Sequence, residues 1–186
     1  IANPGCYPTS SLLSLLPVLG LIDEQRIIIN ATSGITGAGR NLNPEELFLP
    51  GTENYQAYAV AQHRHYPEML NQMQLINKNV DILFVPHLSS IERGIYSTHY
   101  LTIKDLDLDY LYNIYYEYYK DSEFIKIIKQ TYPKLGEVNT TNDCIISLFS
   151  SSDRNDDSNL VIMSAIDNLM KGCLLYTSDA ADDLLC

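Results

Sequence analysis

The chain has 186 residues, enough for one domain with a real core. Hydrophobic residues make up 46% and charged residues 19%, which excludes a disordered chain. The formal net charge of −11 argues against nucleic acid or an anionic membrane as a partner, so an anionic ligand needs a local cluster of positive groups or N–H donors. No apolar run approaches the ~20 residues of a membrane span, and no signal peptide opens the chain. Cys6, Cys144, Cys173 and Cys186 show no paired metal-ligand spacing, and four cysteines in a chain this long do not make a disulfide scaffold. A reducing cytoplasm is the expected setting, with no metal.

The first informative stretch is Asn3-Pro4-Gly5-Cys6-Tyr7-Pro8-Thr9-Ser10. A cysteine follows a Pro-Gly turn, and Thr9 and Ser10 can cap a helix that continues through Leu12, Leu13, Leu15 and Leu16. That order places the thiol at or just before a helix N-terminus. Unpaired N–H groups and the helix dipole favour the thiolate there, and the thiolate is the reactive form. A small buried apolar cysteine is the plain alternative. The turn residues around Cys6 argue for exposure and a nucleophile. The helix is expected to end near Leu19, where Pro17 kinks or ends it and Gly20 stops it.

Arg26-Ile27-Ile28-Ile29-Asn30 reads as a buried strand. It leads into residues 31–40, where Gly34, Gly37 and Gly39 let the backbone approach a ligand closely. The N–H groups of this loop are expected to hold an oxyanion or phosphate, with Arg40 nearby; a tight turn is the alternative. Residues 41–57 read as a surface loop with a short helical piece at 45–48. His63-Arg64-His65-Tyr66-Pro67-Glu68 then opens a helix running to about Asn77. His-x-His can bind a metal, but no third ligand follows at a familiar spacing.

Val80 to Leu88 reads as a strand ending at Pro86, and strand-type alternation resumes at Ile95. Arg93 is either a surface charge or a contact for a substrate anion; His87 and His99 read as structural. Leu108, Leu111, Tyr112, Tyr115, Tyr118 and Tyr119 recur at helical spacing, and their tyrosines are expected to serve the core and an oligomer surface. Phe124 to Lys129 is a short helix or strand. Gly136 to Asn139 read as loop. Ile145 to Phe149 and Asn159 to Ala165 read as strands, joined by a polar hairpin loop. Together the strands predict a mixed sheet with helices on one face, without regular βαβ alternation.

Asn3-Pro4-Gly5-Cys6-Tyr7-Pro8-Thr9 resembles the active-site segment of the N-acetyl-gamma-glutamyl-phosphate reductase family. Other acyl-phosphate-reducing dehydrogenases typically carry Thr after the cysteine, so the match is specific to this family. Ser33-Gly34 with Gly37-Ala38-Gly39, His63-Arg64-His65 with Pro67-Glu68, Phe84 to Leu88 with Arg93-Gly94-Ile95, and Ile166-Asp167-Asn168 are similar to that family in the same order. Thr32 stands where many members carry lysine.

The resemblance implies an α+β fold: a mixed, mainly antiparallel sheet with helices on one face, like the C-terminal catalytic domain of glyceraldehyde-3-phosphate dehydrogenase-like enzymes. It implies a catalytic, substrate-side and dimerisation domain over residues 1–165. Residues 166–172 would start a helix returning to a nucleotide-binding domain that precedes the cysteine in the family. Residues 173–186 resemble a translated sequencing adapter. The implied reaction is NADPH-dependent reduction of N-acetylglutamyl phosphate to its semialdehyde, through a thioester on Cys6. His65, with His63 as the alternative, would be the acid/base and would keep Cys6 ionised. Ser33, Gly34, Arg64 and Arg93 would bind substrate; Gly37 and Asn168 would lie at NADP. No Gly-x-x-Gly-x-x-Gly fingerprint is present, so this chain alone is expected to be inactive. The implied assembly is a homo-oligomer, a dimer or tetramer. Two alternatives remain: a sister reductase acting on N-acetyl-aminoadipyl or aspartyl phosphate, and a non-catalytic dimerisation module.

Overall fold

The computed structural model describes residues 4–22, 26–38, 54–104, 106–150 and 159–173. The expected helical piece at 45–48, Arg40 and Gly39, the hairpin loop at 151–158 and the tail from residue 174 lie outside these residues.

Seven strands form one sheet: β1 (Arg26–Ser33), β2 (Tyr55–Ala57), β3 (Asp81–Ser89), β4 (Ile95–Thr102), β5 (Ile125–Ile128), β6 (Cys144–Ser150) and β7 (Asn159–Ile166). Their order is β2-β3-β1-β4-β7-β6-β5. The β1/β3 and β5/β6 pairs are parallel and the other four are antiparallel. The sheet is therefore mixed and mainly antiparallel, as the strand pattern and the resemblance predicted.

Helices α1 (Cys6–Leu15), α2 (Tyr66–Gln74) and α3 (Leu108–Tyr119) cover one face. A 3-10 segment, Leu16–Leu21, continues α1 past Pro17. The one-turn α4 (Leu135–Val138), read as loop from the sequence, forms a small second core with Ile145 and Ala165. Ile27, Ile29 and Ala31 alternate inward along β1 and pack with Ile82, Phe84, Leu15 and Met69. Each such aliphatic side chain contributes about 1.5–3 kcal/mol by burial. Three serines let α1 lie close to the sheet. Ser10 bonds Ser97 of β4 at 3.0 Å and Ser164 of β7 at 2.9 Å, Ser14 bonds the Ser10 carbonyl, and Ser11 is also buried. Along the stripe read from helical spacing, Leu111, Tyr112, Tyr115 and Tyr119 are buried, but Tyr118 is exposed, as are Tyr110 and Tyr116 off the stripe.

Among the described residues, no helix of more than one turn covers the opposite face along β3, β1, β4 and β7. Leu83, Ile28, Tyr100 and Val161 stand in register across these four strands on that side. Ile28 is 42% and Tyr100 43% exposed, so an apolar row is left uncovered at the centre of the sheet.

Two boundaries differ from the sequence reading. The strand expected to end at Pro86 runs through it to Ser89. Tyr58 N–H donates to the Pro86 carbonyl just past the end of the three-residue β2, so the missing proline N–H faces a position where no ladder bond is required. The helix expected to start over residues 166–172 begins at Leu169 rather than at Ile166. β7 continues to Ile166, and a five-residue π turn follows at Leu169–Cys173.

Candidate active site

Helix α1 begins at Cys6 itself, with Gly5 as its N-cap in an extended conformation and no side-chain cap. Thr9 and Ser10 are therefore inside the helix and do not cap it. Thr9 donates both N–H and hydroxyl to the Gly5 carbonyl at 2.9 Å, and Ser10 turns into the core. Pro8 is tolerated because first-turn N–H groups have no intrahelical partner. Cys6, half-buried, occupies the first helical position, where the dipole favours an anion.

The turn from Tyr58 to Tyr66 approaches this helix start. Ala59 and Ala61 both have positive φ, at 44° and 57°, uncommon for non-glycine residues, and Ala61 N–H is held by the Phe84 carbonyl. This folded segment presents His63, Arg64 and His65. The His65 ring lies against Gly5: a methyl group placed on Gly5 would stand 2.4 Å from His65 Nε2. Glu68, in the first turn of α2, accepts the Gly5 N–H at 3.1 Å and so ties the two helix starts together. The two imidazoles are 4.8 Å apart between ring centres. His63 Nδ1 accepts the His65 backbone N–H at 3.1 Å, and its Nε2 lies 3.4 Å from the Tyr58 hydroxyl. His65 is 9% exposed, and its Nδ1 is buried without a hydrogen-bond partner.

Burial lowers the His65 pKa to about 3, with further lowering from His63 and Arg64. Burial and then Arg64 lower that of His63 to about 4. Both rings are neutral at pH 7. A neutral imidazole is able to accept a proton. The helix dipole favours an anion at this position, and the Arg64 side chain beside the two histidines is exposed.

The glycine-rich segment differs from its expected role. Gly34 N–H donates to Gly94 O, Ile35 N–H to Ile91 O, Thr36 N–H to Glu92 O and Gly37 N–H to Gly34 O. All four donors are engaged within the protein, so they form no nest for phosphate or pyrophosphate. The glycines serve close packing. A Cβ on Gly34 would meet Arg93 backbone at 2.8 Å, and one on Gly37 would meet Ser33 Oγ at 2.3 Å and Asn168 Nδ2 at 2.9 Å.

Arg93 is not a bare surface charge: its guanidinium pairs with the fully buried Asp167 at 2.7 Å. Burial alone would raise the Asp167 pKa. The Arg93 charge and the N–H groups of Thr140, Met170 and Leu169 outweigh that and hold it below its ordinary value. Asn168 is buried; its Oδ1 accepts Gly94 N–H at 2.6 Å and its Nδ2 reaches the Thr36 hydroxyl at 3.3 Å. Among these residues no row of unengaged N–H donors of the kind a pyrophosphate takes is present.

The structure thus brings Cys6, His63, Arg64 and His65 to one place. Ser33 lies in the adjoining knot, its hydroxyl donating to the Gly34 carbonyl at 3.0 Å. Gly37, Asn168 and Arg93 belong to the same knot. His99 is structural, with Nδ1 on the Ile162 carbonyl, and His87 stacks on Tyr55 with 4.9 Å between ring centres. Sequence reasoning missed Tyr7, Tyr58, Glu68 as a tie, and Asp167. Asp167 had a signal, an Asp-Asn pair preceding an apolar segment as helix caps do; Tyr58 had none. Among the described residues, no group of three or more His, Cys, Asp or Glu side chains is placed to hold a metal ion.

The fold is that of the semialdehyde dehydrogenases. A probable aspartate-semialdehyde dehydrogenase from Pseudomonas aeruginosa matches with a TM-score of 0.71 and 15% identity, over 92% of this chain and 58% of that one. Aspartate semialdehyde dehydrogenase II from Vibrio cholerae matches with a TM-score of 0.64 and 13% identity, over 97% and 63%. The sequence profile described as semialdehyde dehydrogenase, dimerisation domain matches residues 6–168, and the chain belongs to that family. Among curated proteins it is similar to N-acetyl-gamma-glutamyl-phosphate reductase of Thermoanaerobacter pseudethanolicus, 42% identical over 177 residues, covering 92% of this chain and 50% of that protein. The enzyme of the same name from Clostridium kluyveri is 41% identical over 177 residues, covering 92% and 51%. The chain spans about half the length of the curated relatives it matches.

Proposed function

We propose that this chain carries the acyl-transfer half of N-acetylglutamyl phosphate reduction in arginine biosynthesis. The observation that carries the proposal is Cys6 at the first position of a helix with the neutral His65 ring against the preceding residue. The Cys6 sulfur attacks the acyl carbon, the C–O bond to phosphate breaks, and a thioester forms with release of phosphate. His65 takes the thiol proton, or returns one to the departing oxygen, as a base that stays neutral well below pH 6.5. Arg64, exposed beside the two histidines, meets the phosphate charge.

Reduction of the thioester to the semialdehyde requires a hydride, which in the proposed whole enzyme comes from NADPH. The described residues are not built to hold that cofactor, so a dinucleotide-binding part of the whole protein supplies it. The chain alone turns nothing over and binds NADPH weakly. The open row of Leu83, Ile28, Tyr100 and Val161 is the face on which a second copy packs, giving a homo-oligomer, and the setting is the reducing cytoplasm. The test is a comparison of N-acetylglutamyl, N-acetyl-aminoadipyl and aspartyl phosphate as substrates for the whole enzyme. Turnover of the first alone supports the proposal. Preference for another acyl phosphate, or micromolar NADPH binding by this chain by itself, overturns the corresponding part.

A further inference from the structure

Tyr7 is the residue after Cys6, and it stands at the centre of the site without touching solvent. It is 2% exposed. Its ring meets Phe84 edge-on at 5.1 Å, His63 at 5.3 Å and His65 at 6.1 Å between centroids. Its hydroxyl is 3.3 Å from the backbone carbonyl of His87 in β3 and 3.1 Å from the Tyr58 hydroxyl. Tyr58 in turn is 3.4 Å from His63 Nε2.

The directions of these bonds follow from their two ends. A carbonyl only accepts, so Tyr7 donates to His87 O. The Tyr7 proton is then used, so the Tyr58 hydroxyl donates to Tyr7. The Tyr58 proton is then used, and its oxygen accepts from His63 Nε2–H. At the other end, a backbone N–H only donates, so His63 Nδ1 must carry a lone pair for the His65 N–H. Both ends select the same His63 tautomer, with the proton on Nε2. His63 has no nitrogen left for substrate, whereas the His65 ring turns its Nε2 towards Gly5 at the start of the cysteine helix.

We propose that His87 O, Tyr7, Tyr58 and His63 form a one-way hydrogen-bond chain that locks His63 as the Nε2-protonated tautomer and holds the His65 backbone so that His65 alone serves as proton acceptor beside Cys6. Tyr7 and Tyr58 are positioning residues, acting through His63. The kinetic consequence rests on the acyl-transfer reading above; the tautomer does not.

The tautomer is measured first, on the 186-residue chain labelled with 15N-histidine, by long-range 15N–1H correlation at pH 7 with no substrate. His63 is expected as a single Nε2–H form. Tyr7→Phe keeps the ring but removes both the donor to His87 O and the acceptor for Tyr58. Tyr58 is then able to turn its proton towards His63, and a mixture of His63 tautomers is expected. Tyr58→Phe removes only the acceptor at Nε2, and the single Nε2–H form is expected to remain because the His65 N–H still requires the Nδ1 lone pair. A His63 that is Nδ1-protonated or charged in the unsubstituted chain, or a tautomer unmoved by Tyr7→Phe, overturns the inference.

The second measurement uses the whole enzyme. Tyr7→Phe is expected to lower kcat about tenfold, the size of one hydrogen bond's net contribution, with KM within about twofold. Tyr58→Phe is expected to do the same and the double variant no more, because the chain acts as a unit. An unchanged kcat in Tyr7→Phe, or a multiplied loss in the double variant, overturns the positioning role. If the unsubstituted enzyme uses no acyl phosphate at all, the acyl-transfer reading fails while the spectrum still decides the chain.

Discussion

Two neighbouring regions of this molecule both carry sequence motifs, and they treat their polar groups in opposite ways. In the knot of residues 33–37, 91–94 and 167–170, the four successive N–H groups from Gly34 to Gly37 are bonded to backbone carbonyls. Asp167 accepts three N–H groups and an ion pair, and Asn168 is bonded at both ends of its amide. Only Arg93 Nε is left buried without a partner there. In the turn of residues 58–68, a neutral histidine is buried with an unpartnered Nδ1 against the residue that starts the cysteine helix. A buried backbone group must be satisfied, and the first region meets that demand from within. A glycine-rich motif binds an anion only when its donors outlast the needs of the fold. The first region is scaffold, and the second retains valence for chemistry.

The sharpest way to break this comparison is to remove the nucleophile. Cys6→Ser in the whole enzyme is expected to abolish turnover with the circular dichroism spectrum unchanged, whereas Cys144→Ala is expected to leave kcat within about twofold. Cys144 is fully buried in β6, and burial pushes its thiol up to about 12. Near-normal activity in Cys6→Ser would remove covalent catalysis from the account.

His65→Asn is expected to lower kcat by about 10²–10⁴, the range for a positioned acid or base. It should also remove the acid limb of the pH–rate profile, which the lowered pKa places below pH 6.5. A larger loss in His63→Asn than in His65→Asn, with loss of that limb, reverses the two assignments.

Gly5→Ala probes the contact between the two helix starts. The new methyl would stand 2.4 Å from His65 Nε2 and must push the ring away. A displacement of that size is expected to lower kcat by about 10²-fold, with a small change in urea midpoint because the Gly5 φ of −61° suits alanine. An unchanged kcat means that His65 does not act from this position.

Asp167→Asn tests the scaffold region. Breaking a buried ion pair is expected to cost about 3 kcal/mol of stability in urea titrations, at the low end of the usual range because the Arg93 side chain is 22% exposed. The effect should also depend on pH. The folded carboxyl is held below its ordinary value, so its contribution is present above that value and lost as pH falls through the folded one. A variant as stable as the parent, yet with a raised KM, would return Arg93 to a substrate role.

The smallest expected effect concerns a histidine that the comparison assigns to the core. Burial lowers the His99 pKa to about 4, despite its bond to the Ile162 carbonyl. The unfolded chain binds that proton first, so stability is complete above pH 6.5 and is lost as pH falls toward 4. Between pH 7 and pH 5 the loss from this residue is about 2 kcal/mol, and His99→Gln is expected to flatten that part of the curve. An unchanged slope means that His99 is not held neutral by the core.

Local pattern sufficed wherever the information was local. The β-branched run at 26–30, the alternation from Ile95, the tyrosine spacing of α3 and the turn before Cys6 each reflect a period or a backbone preference that neighbouring residues set. The cysteine at a helix start and the family likeness of the His-Arg-His stretch were legible for that reason. What only the tertiary structure decided was how long-range partners use polar groups. Nothing near Gly34 in sequence shows that Gly94, Ile91 and Glu92 would take its loop's N–H groups. Nothing near Arg93 shows that Asp167 would hold its guanidinium. The choice between His63 and His65 was likewise open in the sequence, because the two differ in position by only two residues. The proposed choice of His65 rests on the His87 carbonyl, Tyr7 and Tyr58, which come together only when β3, α1 and the 58–68 turn meet. Hydrogen bonds within about a turn are a property of sequence, but acceptors distant along the chain reach a donor only through the packing of the whole sheet.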